Sequence, residues 1–169
     1  KYVADPLSQL PDITFWLMGS LSAASWADVR TVAPLVAAGL AVTLLMRWRI
    51  NILALDDRVA RSLGAAVACE RLAVLTAATC AVAAVVSVSG VVSWIGLIVP
   101  HIARRLFRAD ASSSLPASMM LGALFTVGCD DLARTLLPGE IPLGIVTSLL
   151  GALFFVFVLS RRWYRRREP

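Results

Sequence analysis

From Leu72 to Ser89 the chain runs eighteen residues without a charged side chain. A helix needs roughly 20 residues, and about 17 at the least, to cross a hydrocarbon core about 30 Å thick. Ile141 to Leu159 is a second run of that kind, and Val29 to Trp48, with Arg30 and Arg47 near its ends, holds a third, apolar from Val32 to Met46. Arg47 and Arg49 close it, and their long stems can snorkel to the headgroups. Pro34 lies near its start, where proline is tolerated. A soluble fold would have to bury all three runs and still cover them with polar side chains. The chain lacks those: 59% of its 169 residues are hydrophobic and 16% charged, where a soluble domain carries about 25% charged residues, and the mean hydropathy is +0.78. Lipid must therefore solvate much of the surface, which excludes disorder and an ordinary soluble domain. The fold class expected is all-α, a polytopic transmembrane helical bundle.

Two more crossings complete a set of about five. Leu115 to Cys129 is apolar up to Asp130, Asp131 and Arg134. Val91 to Ala103 follows a break at Gly90 and has only thirteen residues, interrupted by Pro100 and followed by Arg104, Arg105 and Arg108, so it is short for a full crossing. Residues 1–28, with Pro6, Pro11 and the stretch Ile13 to Met18, read as an extracytoplasmic or interfacial segment. Residues 29–162 form the transmembrane domain, interrupted at 51–71 by the one long polar loop. There Leu55, Val59 and Leu63 recur every four residues among Asp56, Asp57, Arg58, Arg61, Glu70 and Arg71, as in a short amphipathic helix, and Gly64 stops or bends it. Ala109 to Ser114 is a small polar loop, Leu137-Pro138-Gly139 is a turn signal, and residues 163–169 are a basic tail.

Arginine placement orients the bundle. If the tail is cytoplasmic, thirteen of the sixteen basic residues lie inside, and Lys1, Arg30 and Arg134 lie outside, the asymmetry that topology follows. This arrangement needs two crossings in the 32 residues between Arg71 and Arg104, so one helix is short or Arg104 faces a water-filled cavity. Five spans also place the N-terminus outside, which leads us to expect an upstream half. The net charge of +5 thus reports topology, with no nucleic-acid partner expected.

Few residues offer chemistry. His101 is the single histidine, and beside Pro100 it suits a structural or gating role or, with partners from elsewhere, a ligand role. Asp130 and Asp131 at a span end have the makings of a proton or metal site, or Asp130 pairs with Arg134 four residues on. Cys69, Cys80 and Cys129 have no metal-ligand spacing, so no metal and no disulfide framework is expected. The 51–71 loop is either a solvated connection or a helix that docks in the groove of a cytoplasmic partner. Gly90, Gly96, Gly122, Gly128, Gly144 and Gly151 permit close helix packing and hinging.

The run Ser93 to Arg104, read as SWIGLIVPHIAR, resembles the "GxxGLxxPHxxR" signature of permease subunits in the iron-siderophore, heme and cobalamin class of ABC importers, the FecCD-type permeases. Neighbouring motifs agree in order. Met18-Gly19-Ser20 and Trp26 resemble "MGS…W". Asn51 to Leu55 with Ala60 to Gly64 resemble "NLLALGxxxARSLG", Asp130 to Arg134 resembles "ADxxAR", and Glu140 to Thr147 resembles "ELPxGxxT". The resemblance spans about residues 15 to 162 and only the second half of a family member of about ten helices. Leu153 stands where the family has proline, and Asp56 where it has glycine.

The resemblance implies a homo- or heterodimeric permease in the bacterial inner membrane, with two cytoplasmic ATPase subunits, an extracytoplasmic solute-binding protein and membrane lipid as partners. Leu55, Arg58, Arg61, Ser62, Leu63 and Gly64 would form the ATPase-coupling element. Arg134 would meet a glutamate of the binding protein. Pro100, His101, Thr147, Ser148 and Gly151 would belong to the translocation path or gate. No catalytic residue and no cofactor is implied in this chain, since ATP and magnesium would sit in the partner ATPase. The substrate implied is a metal chelate, ferric siderophore foremost, with heme, cobalamin and molybdate as alternatives. From the residues alone two rivals stand beside the importer: an intramembrane enzyme using His101, Asp130 and Asp131, and a non-transporting scaffold.

Overall fold

A computed structural model describes residues 9–22, 24–107, 110–135 and 141–165. Among the described residues eight helices follow one another: α1 (Gln9–Met18), α2 (Trp26–Leu45), α3 (Arg47–Leu53), α4 (Asp57–Ser62), α5 (Val67–Ser89), α6 (Ile95–Phe107), α7 (Ala111–Thr135) and α8 (Leu143–Arg165). Among the described residues three helices, α2, α5 and α7, are long and apolar enough to span a membrane, and α8 contributes a shorter apolar stretch, Leu143–Phe157. Only 6% of the apolar window of α2, and 11% of those of α5 and α7, is buried within the chain. Leu45, Met120 and Leu124 stand open to the surroundings, as lipid-facing side chains do. The chain is an all-α polytopic membrane bundle.

The spans differ from the sequence expectation at their ends. The first begins at Trp26, because Ser25 and Asp28 close a capping box: the Asp28 N–H donates to Ser25 Oγ (3.3 Å) and the Ser25 N–H to Asp28 Oδ2 (2.9 Å). Pro34 is consequently the ninth residue of the helix rather than near its start, and it removes the N–H that would meet the Arg30 carbonyl. The helix stops at Met46, and Arg47 and Trp48 belong to α3. The 51–71 loop folds as the end of α3, the separate helix α4 and the start of α5, so Glu70 and Arg71 are helical residues of the next span. Residues 111–114 are the first turn of α7 rather than loop. The break at Gly90 is present, and residues 90–94 are non-helical before a thirteen-residue α6. The turn expected at Leu137-Pro138-Gly139 lies outside the described residues, and α8 carries the chain helically to Arg165.

α2 and α5 pack against each other most closely. A Cβ on Gly39 would fall 2.7 Å from both the Ala77 carbonyl oxygen and the Ala81 Cβ, so glycine permits near backbone contact. At one end of the bundle the ends of α1 and α5 meet the start of α8. Ser20 N–H donates to the Ser89 carbonyl (2.9 Å), Val91 N–H to the Trp16 carbonyl (3.3 Å) and Gly144 N–H to the Gly19 carbonyl (3.4 Å). A side chain on Gly19, Gly90 or Gly144 would strike main-chain oxygen of Val91, Trp16 or Met18 respectively. The segment expected to be interfacial therefore folds as α1 and docks its C-terminus into this junction. Cys129, Ala133, Leu143 and Val146 form the apolar cluster beside it.

The opposite end carries Arg47, Arg49, Arg58, Arg61, Arg71, Arg104 and Arg105, while Arg30 and Arg134 lie toward the glycine junction. The two ends are thus segregated by charge among the described residues, as a topogenic bias requires.

Candidate functional site

At the arginine-rich end α4 is built as a separate, exposed element. The Asp56 carboxylate caps it by accepting from the Arg58 N–H (2.9 Å), and Arg61 lies 3.9 Å from Asp57 one turn earlier. Gly64, at φ +79°, turns the chain out of the helix, a conformation that glycine adopts without the strain of a Cβ. Ala60 faces inward and is fully buried with Ala65 and Val67 against Ile52 and Leu53. The apolar residues spaced by four point outward: Leu55, Val59 and Leu63 are 46%, 47% and 56% exposed. With Arg58, Arg61 and Ser62 also exposed, the helix presents a mixed apolar and basic face. Beside it opens a cleft of about 350 Å³ lined by Asp57, Arg61, Ala65, Val67, Cys69 and Arg71.

Charged ties hold this element to the spans. Arg49 donates through Nε to Glu70 Oε2 (2.9 Å) and through Nη2 to Glu70 Oε1. Glu70 also accepts from the Ala66 N–H (3.1 Å). The hydrogen bond to Glu70 raises the already high pKa of Arg49, so this cation is permanent. Arg71 bridges Asp57 (3.1 Å) and the Leu53 carbonyl (3.3 Å). On the other side Asn51 Nδ2 donates to Asp110 Oδ1, and Asn51 Oδ1 accepts from the Ala111 N–H (2.8 Å). Arg49, Asp57, Glu70, Arg71 and Asp110 carry this scaffold; the sequence placed Arg49 at a span end and Asp57, Glu70 and Arg71 in the polar loop, but gave none of these pairings. Their partners on other helices lie between 14 and 59 positions away, beyond the reach of helical spacing rules.

α6 and α8 meet along an aromatic seam. Trp94, at φ +70°, lays its indole into the notch at Gly151, where a Cβ would fall 2.5 Å from the ring. Phe155 meets it edge-to-face at 6.3 Å. His101 is exposed and stands edge-to-face with Phe154 at 6.1 Å. Pro100 lies inside α6, and its carbonyl accepts from Arg104 Nε (3.3 Å). Thr147 is fully buried and donates to the Gly144 carbonyl (3.2 Å), while Ser148 is half-buried. His101 and Gly151 thus lie along one seam, with Pro100 adjacent to His101 on α6, and Thr147 lies one turn before Gly151 on α8, nearer the glycine junction.

Arg134 Nε donates to Asp130 Oδ2 (2.9 Å) near the junction end of α7. Val99 packs level with Gly122, so His101 and Asp130 are about 15 Å apart along the helix axes at 1.5 Å per residue. His101, Asp130 and Asp131 therefore do not converge on one site. Among the described residues no group of three His, Cys, Asp or Glu could hold a metal ion, and Cys69, Cys80 and Cys129 are free thiols.

The chain is 37% identical over 164 residues to the molybdate import system permease protein MolB of Haemophilus influenzae, covering 95% of this chain and 49% of that protein. It is 42% identical over 149 residues to a probable iron chelatin transport system permease of Helicobacter pylori, covering 88% and 46% respectively. It is 41% identical over 151 residues to the Fe(3+) dicitrate permease FecC of Escherichia coli, covering 89% and 46%. The chain spans about half the length of these relatives. Among solved structures, a metal-chelate type ABC transporter in an inward-facing conformation superposes with a TM-score of 0.90 at 36% identity, over 95% of this chain and 52% of that one. The model of the FecCD transport family matches residues 2–161. With this match over nearly the whole chain, the protein belongs to the FecCD transport family.

Proposed function

We propose that the chain is the second half of a permease subunit of an ATP-driven importer, carrying a metal chelate, a ferric siderophore foremost, across the bacterial inner membrane. The carrying observation is α4: a six-residue helix at the arginine-rich end, where Val59 and the flanking Leu55 and Leu63 form an apolar face about half exposed. Such a face suits the groove of a cytoplasmic ATPase. In this reading the arginine-rich end and the C-terminus are cytoplasmic. Leu55, Arg58, Arg61, Ser62, Leu63 and Gly64 form the coupling element, and two ATPase subunits bind ATP and magnesium. Arg134, at the opposite end, meets an extracytoplasmic binding protein. Pro100, His101, Thr147, Ser148 and Gly151 lie along the path or its gate, and a second permease subunit completes it. The chain itself carries out no bond chemistry. It changes between inward- and outward-open arrangements as nucleotide binding biases the coupling element.

Iron chelates are favoured because relatives named for them are 42% and 41% identical. An oxyanion is the second reading, since the molybdate permease aligns over 95% of the chain. The test is co-purification of the full-length permease, expressed with its neighbouring genes in nanodiscs, with an ATPase and a binding protein. Both should appear, and Arg61→Glu should remove the ATPase while the permease stays folded. Absence of both partners from an intact permease would overturn the importer.

A further inference from the structure

α7 connects the two ends of the molecule. Its 25 residues make a rod about 37 Å long at 1.5 Å per residue. One end holds Arg134 and Asp130, 2.9 Å apart. The other begins at Asp110, whose main-chain carbonyl accepts from the Ser114 N–H (2.9 Å) and whose carboxylate accepts from the Ser112 hydroxyl. Pro116 lies within the first two turns. Beyond it, the Ser118 and Thr126 hydroxyls return to the Ser114 and Gly122 carbonyls (2.7 and 2.8 Å), so they do not compete with other elements.

Among the described residues the α3–α4 element touches this rod at one polar point. Asn51, 59 positions from Asp110 in sequence, uses both halves of its amide: Nδ2 donates to the Asp110 carboxylate and Oδ1 accepts from the Ala111 N–H at 2.8 Å. An asparagine is suited to this because it presents a donor and an acceptor side by side. The contact therefore fixes α3 to α7 in orientation as well as distance. α3 is also tied to α5 through Arg49 and Glu70 (2.9 Å), so a displaced α3 moves α5 and α7 together. The aspartate's negative charge sits at the N-terminus of α7, where the helix dipole favours it.

We propose that Asn51 and Asp110 are the positioning pair through which movement of the α3–α4 element is handed to α7, and so to the Arg134 end of the molecule. This rests on the importer reading, with α4 as the ATPase-docking helix. The pair acts as a two-point hinge pin: α4 shifts, α3 follows as its continuous neighbour, and the paired amide and carboxylate make α7 follow α3. A cap that served only to start α7 would not need a partner from another helix, because Ser112 and Ser113 already face the Asp110 carboxylate.

The test uses the full-length permease with its ATPase and binding protein in nanodiscs, and reads binding-protein-stimulated against basal ATP hydrolysis. Asn51→Asp sets two carboxylates against each other, and Asp110→Asn leaves the Asn51 amide a weaker, neutral acceptor and turns an N–H toward the Ser112 hydroxyl. Each single variant should lose at least threefold of the stimulation while ATPase and binding protein still co-purify. The double variant N51D/D110N restores a donor opposite an acceptor in reversed sense, and should recover stimulation to within about twofold of the parent. Full stimulation in both assembled single variants would overturn the proposal. So would a double variant no better than the singles, since a purely local capping role predicts that defects at Asp110 persist whatever occupies position 51. If the singles fail to assemble, binding-protein affinity in an Asn51→Ser variant, which retains a smaller donor and acceptor, gives the same reading: unchanged dependence on nucleotide state overturns it. Failure of the parent to bind either partner would instead defeat the importer reading.

Discussion

Replacing Gly151 by alanine drives a methyl group into the Trp94 side chain. The new Cβ would fall 2.5 Å from Cγ and Cδ2 of the indole and 2.7 Å from the Trp94 Cβ, about 1 Å inside ordinary carbon contact. Rotating the indole alone does not relieve the clash, because the Trp94 Cβ is itself too close. The main chain at Trp94 is already at φ +70°, which for a residue with a Cβ costs on the order of 1–2 kcal/mol. Overpacking of this kind costs about 1–3 kcal/mol, and the edge-to-face pair with Phe155, worth about 0.5–1.5 kcal/mol, is lost with it. Gly151→Ala should therefore destabilise by about 2–4 kcal/mol. In a Trp94→Gly background the obstructing atoms are absent and the strained backbone is relaxed, so the same substitution should cost less than about 0.5 kcal/mol. The cycle is read by thermal unfolding of the full-length permease in nanodiscs, as the difference between the Tm losses in the two backgrounds. Equal Tm losses for Gly151→Ala in both backgrounds would refute the argument, since the coupling energy would then be zero.

Further predictions follow the same geometry. Gly64→Ala meets no atom within 4 Å, but its φ is +79°, so it should cost about 1–2 kcal/mol through backbone strain alone, measurable as a lower Tm. Asp110 titrates below the ordinary aspartate range, chiefly because the Ser112 hydroxyl and then the Asn51 amide donate to its charged form, against the opposing effect of burial. A depressed folded pKa means the stabilisation is fully present above the unfolded value of about 3.9 and is lost as pH falls through the lower folded value. The Tm difference between the parent and Asp110→Asn should accordingly be constant from pH 5 to 7 and shrink below about pH 4. Arg134→Glu, at the end opposite α4, should weaken binding-protein affinity about tenfold at low salt, an effect of ~1.4 kcal/mol that fades as ionic strength screens it. Surface plasmon resonance across a salt series checks this, and an affinity equal to the parent's at low salt contradicts the docking role.

Much of the architecture was legible because lipid imposes a one-dimensional rule. A helix that crosses hydrocarbon must be apolar along its own length, so Leu72 to Ser89 announced α5 without knowledge of its neighbours. Gly90 and Gly64 were readable as breaks for a similar local reason. Helix ends were less legible, although Ser25-Trp26-Ala27-Asp28 carries the capping-box spacing that starts α2 early. The exposed apolar face at α4 was anticipated by the four-residue spacing of Leu55, Val59 and Leu63, although only Val59 lies within the six-residue helix and the other two flank it.

What the sequence determined by itself, then, is everything that depends on runs and short spacings: membrane class, approximate spans, the segregation of arginine, the existence of a short amphipathic element and the motifs of its family. Tertiary structure decided which distant residues meet. The pairings Arg49–Glu70, Arg71–Asp57 and Asn51–Asp110, the seating of Trp94 on Gly151, and the convergence of Gly19, Gly90 and Gly144 each join segments from different helices. Neither partner of any of these contacts carries a local mark of the other. Their geometry arises from how the helices cross, and helix crossing is set by the packing of side chains across interfaces rather than by the pattern along any single helix.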